Sequence, residues 1–383
     1  MDEGQTLCEV VPQPFSPFGA IMDEIQSQLS QIRTEIDDVD AQVIELLNRR
    51  IRLAIEVGKI KQKGDAPFFA PERERQIFES LAQRNEGPMQ TKQLVGIFRE
   101  IISASRAAEQ PLHIAFWGPE GSYSHLAATQ TFGSSSEFHP FDSISSVFQA
   151  VENRIADYGV APIENSIAGV VPETLDMFPL TNVKICAENY VMIQHLLVSN
   201  AESLEEIKRV YAGPQPFAQC RKWLRDNLPQ AEIVEIMPTS EAARRAAKDE
   251  NGAAIANRLA AESLGLGIMA EAIADNPRNE TRFLVIGFNE PTKTGRDKTS
   301  VVFNLRNKPG ELYRALGILD GEGVNLSMIE SRPVPRTTFE YLFYCDLEGH
   351  RTDPNVGRAM ESLKAHALEL IWLGSYPQAA ERR

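Results

Sequence analysis

IMDEIQSQLSQIRTEIDDVDAQVIELLNRRIRLAIEVGKIKQ, residues 21–62, carries apolar side chains at a strict seven-residue interval. Ile25, Ile32, Val39, Leu46, Leu53 and Ile60 form one row. Met22, Leu29, Ile36, Val43 and Val57 form a second, with Arg50 standing where the next apolar residue belongs. Two such rows make the apolar stripe of one long helix. At ~1.5 Å per residue that helix would run roughly 60 Å, more than one small domain can cover. A helix from a second copy is the natural cover, so a homodimer or higher homo-oligomer is expected. Two shorter helices follow. One opens at Ala70-Pro71-Glu72, with proline at the first helical position and acid in the first turn, and turns Ile77, Phe78 and Leu81 inward. The other covers residues 91–109 on a stripe of Leu94, Ile97, Phe98, Ile101 and Ile102. Pro111 closes an all-helical segment spanning 21–110.

Beyond it the period changes. Short apolar runs at 112–117, 158–162, 210–212, 232–237 and 283–286 alternate with helical stretches at 143–152, 216–227, 241–248 and 257–264. Such alternation predicts a doubly wound α/β domain over 111–288, arranged as two lobes around a cleft. Residues 289–298 are polar, with Pro and Gly, and read as a linker. Over 299–378 the order is strand, helix, strand, strand, helix, strand, the βαββαβ pattern of an α+β ferredoxin-like module. Residues 1–20 are acidic and Pro-containing with no basic, apolar leader pattern, and read as a disordered extension.

Composition narrows the function. The 383 residues are enough for two or three domains. A net charge of −14 opposes nucleic-acid or anionic-membrane binding, and no apolar run approaches the ~18 residues of a membrane span. Cys8, Cys186, Cys220 and Cys345 form no CxxC pair, and the six histidines show no ligand spacing along the chain. No metal, reduced thiols and a cytoplasmic location are the expectation.

Arg50 is the informative residue of the helical segment, because an unpartnered guanidinium in an apolar row costs several kcal/mol. Lys61 lies eleven residues on, about 20° around the helix. Arg33 precedes Lys61 by four heptads, and Ser105 and Glu109 continue the stripe of Phe98 and Ile102. With PERERQ and FREIISASRAAEQ, these residues make the segment resemble the all-helical chorismate mutases. The resemblance implies that Arg50 and Lys61 clamp the carboxylates of chorismate. It makes Arg33 a cross-protomer arginine of an intertwined dimer, puts Arg73 and Glu74 on the second helix, and sets Ser105 and Glu109 at the far end of the pocket. A Claisen-type rearrangement needs no nucleophile, base or cofactor. It needs a compact conformer and a donor to the breaking ether oxygen. Lys61 can donate, as can Glu109 if it carries a proton, so mutase turnover is expected to fall with rising pH and Glu109→Gln to flatten that fall. Ala70 stands where some relatives have an acid, and Glu109 where some have Gln.

In the α/β segment, GPEGSYSHLAA (118–128) is a Gly-rich turn opening a helix, an arrangement suited to anions. It is neither a Walker loop nor GxGxxG, so no nucleotide cofactor is implied. PIENSIAGVVPETLD (162–176) leaves a strand end, GPQPFAQCRKWL (213–224) follows another, and NPRNETRFLVIG (276–287) starts a third. In this order the four blocks resemble prephenate dehydratase. From that family's motif, Thr281 is expected to donate a proton to, or position, the departing ring hydroxyl. Asn279, Arg282 and Phe283 neighbour it, with Arg282 a carboxylate partner. Ser122, Ser124, Glu164, Asn165, Ser166 and Gln215 would line the cleft. Gly213 stands where several relatives have His.

NLRNKPGELYRAL (304–316) and GVNLSMIESRPV (323–334) resemble the ACT domains attached to this dehydratase, which implies a phenylalanine site between two protomers. Asn307, Gly310, Glu311 and Leu312 would lie on one side of it, and Asn325, Ser327, Glu330 and Ser331 on the other. Arg332 reads equally as a surface salt-bridge partner. Together the resemblances imply rearrangement of chorismate to prephenate, conversion of prephenate to phenylpyruvate, and allosteric inhibition by phenylalanine. Two rivals stand beside this reading: a ligand-binding regulator, which needs no proton donor, and a monofunctional dehydratase whose helices only dimerise.

Overall fold

The computed structural model describes residues 17–64, 67–237, 239–333 and 341–379. Of the extension expected over 1–20, residues 1–16 lie outside that set, and the rest already belong to the first helix. That helix, α1 (Pro17–Gly64), is 48 residues long and is followed by α2 (Pro71–Arg84) and α3 (Thr91–Glu109). At ~1.5 Å per residue α1 extends about 70 Å. The two heptad rows stay between 43 % and 69 % exposed, so nothing among the described residues covers them. Ile77, Phe78 and Leu81, expected to be buried, are only half-buried. Where α1 meets α3, a β-carbon at Gly58 would fall 3.1 Å from Glu109 Cβ, so the missing side chain is what lets the end of α3 approach.

The α/β segment forms two lobes. The first contains β1 (His113–Trp117), α4 (Tyr123–Phe132), β2 (Glu137–Phe141), α5 (Ile144–Glu152), β3 (Tyr158–Asn165), β4 (Gly169–Val170), α6 (Pro172–Met177) and β5 (Lys184–Met192). The second holds β6 (Leu196–Ser199), β7 (Arg209–Ala212), α7 (Pro214–Gln219), α8 (Arg221–Asn227), β8 (Glu232–Glu235), α9 (Thr239–Ala246), β9 (Gly252–Ala256), α10 (Arg258–Leu264) and β10 (Gly267–Ala270). The chain then returns to the first lobe as β11 (Glu280–Gly287). The sheet orders are β2-β1-β3-β11-β5, with β4 on β3, and β10-β6-β9-β7-β8. Both sheets are mixed. Strands β1, β2 and β3 run parallel, as do β7, β8 and β9, whereas the crossing strands β5, β6, β10 and β11 pair antiparallel. The helix expected over 216–227 is two helices, α7 and α8, separated at Cys220, whose ψ of 12° departs from the helical value.

The C-terminal module comprises β12 (Asp297–Asn304), α11 (Glu311–Gly321), β13 (Leu326–Pro333), β14 (Tyr341–Glu348), α12 (Pro354–His366) and β15 (Glu369–Pro377), in antiparallel order β13-β14-β12-β15. It is not a bead on a tether. Ile163, Leu175, Phe178, Ile185, Leu284 and Ile286 share one buried core with Val302, Tyr344, Leu373 and Tyr376. The linker ends early, as the Asp297 carboxylate accepts from the N–H groups of Thr294 and Gly295, each at 2.9 Å. At the other junction Phe69, just before α2, packs against Phe132 and Tyr158 with centroids 4.7 and 5.3 Å apart. Among the described residues no helix is long and apolar enough to cross a membrane. Cys186, Cys220 and Cys345 are buried free thiols.

Candidate active sites

Between α1 and α3 four of the expected residues meet. Arg50 Nη1 donates to Ser105 Oγ and, at 3.3 Å, to the carbonyl of Ile101. Lys61 Nζ donates to Glu109 Oε2 at 3.0 Å and to the carbonyl of Phe68 at 3.4 Å. Burial lowers the Arg50 guanidinium from its usual value, opposed by the Glu109 carboxylate. This is a half-buried cationic floor whose partners are hydroxyl, carbonyl and carboxylate groups that a di-anion can displace. Arg33 is exposed on α1, about 26 Å from Arg50 along the helix, and cannot reach that floor within its own chain. Arg73 is exposed and donates to Gln76 at 3.2 Å. Glu74 does not face the pocket: its carboxylate pairs with Arg106, which also donates to the carbonyl of Phe132 and lies beside the Phe69 ring. Burial raises the Glu74 carboxyl, with Arg106 opposing. Glu74 therefore fastens the helices to the first lobe.

The second site lies at the inter-lobe crossings, off the carboxyl end of β3. Asn165 Oδ1 accepts the N–H groups of Ile167 and Ala168, at 3.0 and 2.8 Å. Its Nδ2 is thereby turned to donate to Thr281 Oγ1 at 2.9 Å and to Asn279 Oδ1 at 2.8 Å. The Thr281 oxygen thus acts as acceptor, and among the described residues its hydroxyl proton meets no acceptor. From Asn279 the network crosses to the second lobe. Its Nδ2 donates to Gln219 Oε1 at 3.2 Å, and the same oxygen lies 2.7 Å from His195 Nε2. His195 accordingly donates through Nε2, and its Nδ1 lies 3.2 Å from the Tyr123 hydroxyl, which donates to the carbonyl of Gln194 at 2.8 Å. Burial lowers the His195 pKa from its usual value, partly offset by the bond to Gln219, and so favours the neutral ring. Ser122 caps α4 by accepting the N–H of His125 at 3.2 Å, and Ser124 is buried in its first turn. The turn before them docks on the second lobe through Asn257, which donates to the carbonyl of Gly121 at 2.8 Å. Gly121 has φ +79°, and a β-carbon there would lie 3.2 Å from that of Ala260, so only glycine suits this contact. Ser166 joins the loop of β11 to β3, accepting from the Glu280 N–H at 2.9 Å, and Glu164 is half-buried beside it.

Arg282, Phe283 and Gln215 lie elsewhere than the resemblance implies. Arg282 is not in the cleft. It projects from the other face of β11, where Nε meets Glu188 at 2.8 Å, Nη1 meets Asp346 at 2.6 Å and Nη2 meets the Tyr376 hydroxyl at 3.0 Å. Lys298 Nζ shares Glu188 at 3.0 Å. Phe283 is core, packed with Phe116, Val285 and Phe69. Gln215 is exposed on α7, and the amide that enters the network is Gln219, one helical turn later on the same face.

In the C-terminal module, Asn307 and Gly310 lie exposed in the turn before α11, and Leu312 is half-buried on it. Glu311 is paired with Arg314 at 2.8 Å and His366 at 3.1 Å. Asn325, Ser327, Glu330 and Ser331 are spread along the edge strand β13 and the turn before it, with Ser327 donating to the carbonyl of Asp346 at 3.2 Å. One module does not gather all eight into a single pocket. Arg332 is a salt-bridge residue, meeting both oxygens of Asp176 on α6 at 3.2 and 2.9 Å.

A family model for chorismate mutase type II matches residues 32–110, one for prephenate dehydratase matches 114–291, and one for the ACT domain matches 299–365. A bifunctional chorismate mutase/prephenate dehydratase of Aquifex aeolicus is 42% identical over 356 residues, covering 92% of this chain and 98% of that one. The chain belongs to the bifunctional chorismate mutase/prephenate dehydratases. The Pseudomonas aeruginosa member is 39% identical over 360 residues, covering 92% of this chain and 99% of its own. A prephenate dehydratase from Arthrobacter aurescens, crystallised with L-Phe, superposes with a TM-score of 0.65 at 35% identity, over 70% of this chain and 90% of that one. Both enzymes of the family are therefore carried here, the mutase on α1 to α3 and the dehydratase on the two lobes. Sequence reasoning missed Tyr123, His195, Gln219 and Arg106. Tyr123 and Gln219 stood inside the quoted blocks, whereas His195 follows a strand that had not been recognised.

Proposed function

We propose that Arg50 and Lys61 hold the carboxylates of chorismate over the floor formed with Ser105 and Glu109, and that Arg33 completes this pocket from a second copy. Lys61, or Glu109 when protonated, donates to the ether oxygen as its bond to carbon breaks and the new carbon–carbon bond forms. In the cleft, prephenate's ring carboxylate leaves as CO₂ and its electron pair aromatises the ring. The ring hydroxyl departs as water on taking a proton from Thr281, which solvent replenishes. The open N–H groups at the start of α4 receive the substrate's negative charge. The observation that carries this reading is the bond from Asn165 Nδ2 to Thr281 Oγ1, which leaves the hydroxyl proton free for substrate. Phenylalanine is read by the C-terminal module of paired protomers, along the turn before α11 and strand β13.

Separate assays on each substrate test these assignments. Thr281→Ala is expected to lower dehydratase turnover ~10²-fold or more with mutase turnover intact. Arg50→Ala does the reverse by a similar ~10²-fold factor. In the same assays phenylalanine slows the dehydratase, and Ser327→Ala relieves that inhibition. Near-wild-type dehydratase turnover in Thr281→Ala reassigns the donor.

A further inference from the structure

The parallel register of β1 with β2 sets His113 opposite Glu137 and Ala115 opposite His139. Because alternate residues of a strand share a face, His113, Glu137 and His139 project from the same side of the sheet. Their polar atoms converge. His113 Nδ1 is 3.1 Å from His139 Nε2 and 3.2 Å from Glu137 Oε2. The two rings stack with centroids 5.3 Å apart, and all three ligand atoms lie within 4.8 Å of one another.

One imidazole nitrogen thus faces both a carboxylate oxygen and another imidazole nitrogen. A single N–H can serve only one of the two. A cation accepting lone pairs from all three satisfies them together. Tetrahedral ligands at ~2.0–2.1 Å from a zinc ion stand about 3.3 Å apart, close to both short separations here. Two imidazoles with one carboxylate, half-exposed at a sheet edge, leave the remaining coordination positions to water. The backbone under the cluster is held as well, since the N–H of His113 donates to Asp157 Oδ2 at 2.8 Å.

We infer that His113, Glu137 and His139 form a binding site for a divalent transition-metal ion of the zinc class. The site shares no residue with either catalytic pocket of the same chain. It lies at the amino end of β1, whereas the dehydratase cleft opens off the carboxyl end of the parallel strand β3. A bound ion ties the edge strand β2 to the strand that leaves α3 four residues after Glu109.

The test uses full-length protein stripped of metal, titrated with Zn²⁺ by calorimetry and with Co²⁺ by visible absorption. The wild type is expected to take up one equivalent that His139→Ala binds at least tenfold more weakly, and to show a cobalt band that the variant lacks. Added Zn²⁺ should raise the melting temperature of the wild type and not of the variant. Metal-free turnover on prephenate should match in the two proteins. Identical Zn²⁺ isotherms and cobalt spectra for wild type and variant overturn the proposal. Should circular dichroism show His139→Ala to be misfolded, Glu137→Gln carries the cobalt comparison, and an unchanged band there overturns it equally.

Discussion

At the scale of single residues, the dehydratase cleft depends on amides that can point only one way. The oxygen of Asn165 is committed to two backbone N–H groups, which aims its nitrogen at Thr281 and Asn279. Beyond them His195 is almost fully buried, and burial depresses its folded-state pKa, with the Gln219 bond opposing. In the unfolded chain the ring titrates near ~6.5, so below that pH the unfolded state binds a proton that the folded state resists. Stability is complete above that range and falls as pH drops toward the depressed folded value. The urea midpoint should therefore decrease between pH 7.5 and 5.5, and His195→Gln should make the decrease shallower. His125, whose pKa is also lowered by burial, supplies part of what remains. An identical pH dependence in His195→Gln would remove His195 from this account. Arg50 was legible from sequence because it interrupts an apolar row. Arg282 was not, because it adjoins Thr281 in sequence while neighbouring residues of a strand face opposite ways.

Among the elements, the long helix α1 was the plainest feature of the sequence, and its heptads also state what it lacks. Its exposed stripe and the separation of Arg33 from Arg50 argue for the same partner helix. Val43→Asp, which puts a charge in that stripe, should shift the protein to a slower sedimenting species. It should also abolish mutase turnover while the dehydratase persists. A variant that sediments like the wild type would show that the stripe is covered some other way. Strands were harder to read. Gly252–Ala256 (GAAIA) is entirely buried, but its small residues match those of α9, whose Ala242, Ala243 and Ala246 lie in the same core. That close packing leaves Ile255 as the one β-branched residue of the strand. In Lys184–Met192 the polar Glu188 and Asn189 interrupt the apolar run, because Glu188 faces Arg282 and Lys298 rather than the core. Likewise, the cluster of His113, Glu137 and His139 exists only across the strand register, so spacing along the chain could not reveal it.

Over the whole molecule, the three parts are joined by buried contacts that no boundary in the sequence announces. Arg106 and Phe69 fasten the helices to the first lobe. Arg282, Glu188, Asp346 and Lys298 lie buried between the dehydratase and the C-terminal module, two charges of each sign. Removing one member of such a set strands an opposite charge in a poorly solvated place, at a cost of ~3–5 kcal/mol. Arg282→Met should lower stability by about that amount, read from the urea midpoint. A loss below about 0.5 kcal/mol, the range of ordinary surface substitutions, would mean that the network is wetter than described. Since Thr281 adjoins Arg282 on β11, the same strand touches both the cleft and the C-terminal module. Both reactions are expected of copies of this one chain, on residues of its own sequence. This is tested most directly by incubating the purified protein with chorismate alone, adding no cofactor or metal, and following chorismate and phenylpyruvate together. The account predicts that chorismate disappears and phenylpyruvate accumulates. Chorismate left untouched, while added prephenate is converted, would contradict it and reduce the helical segment to a dimerisation arm.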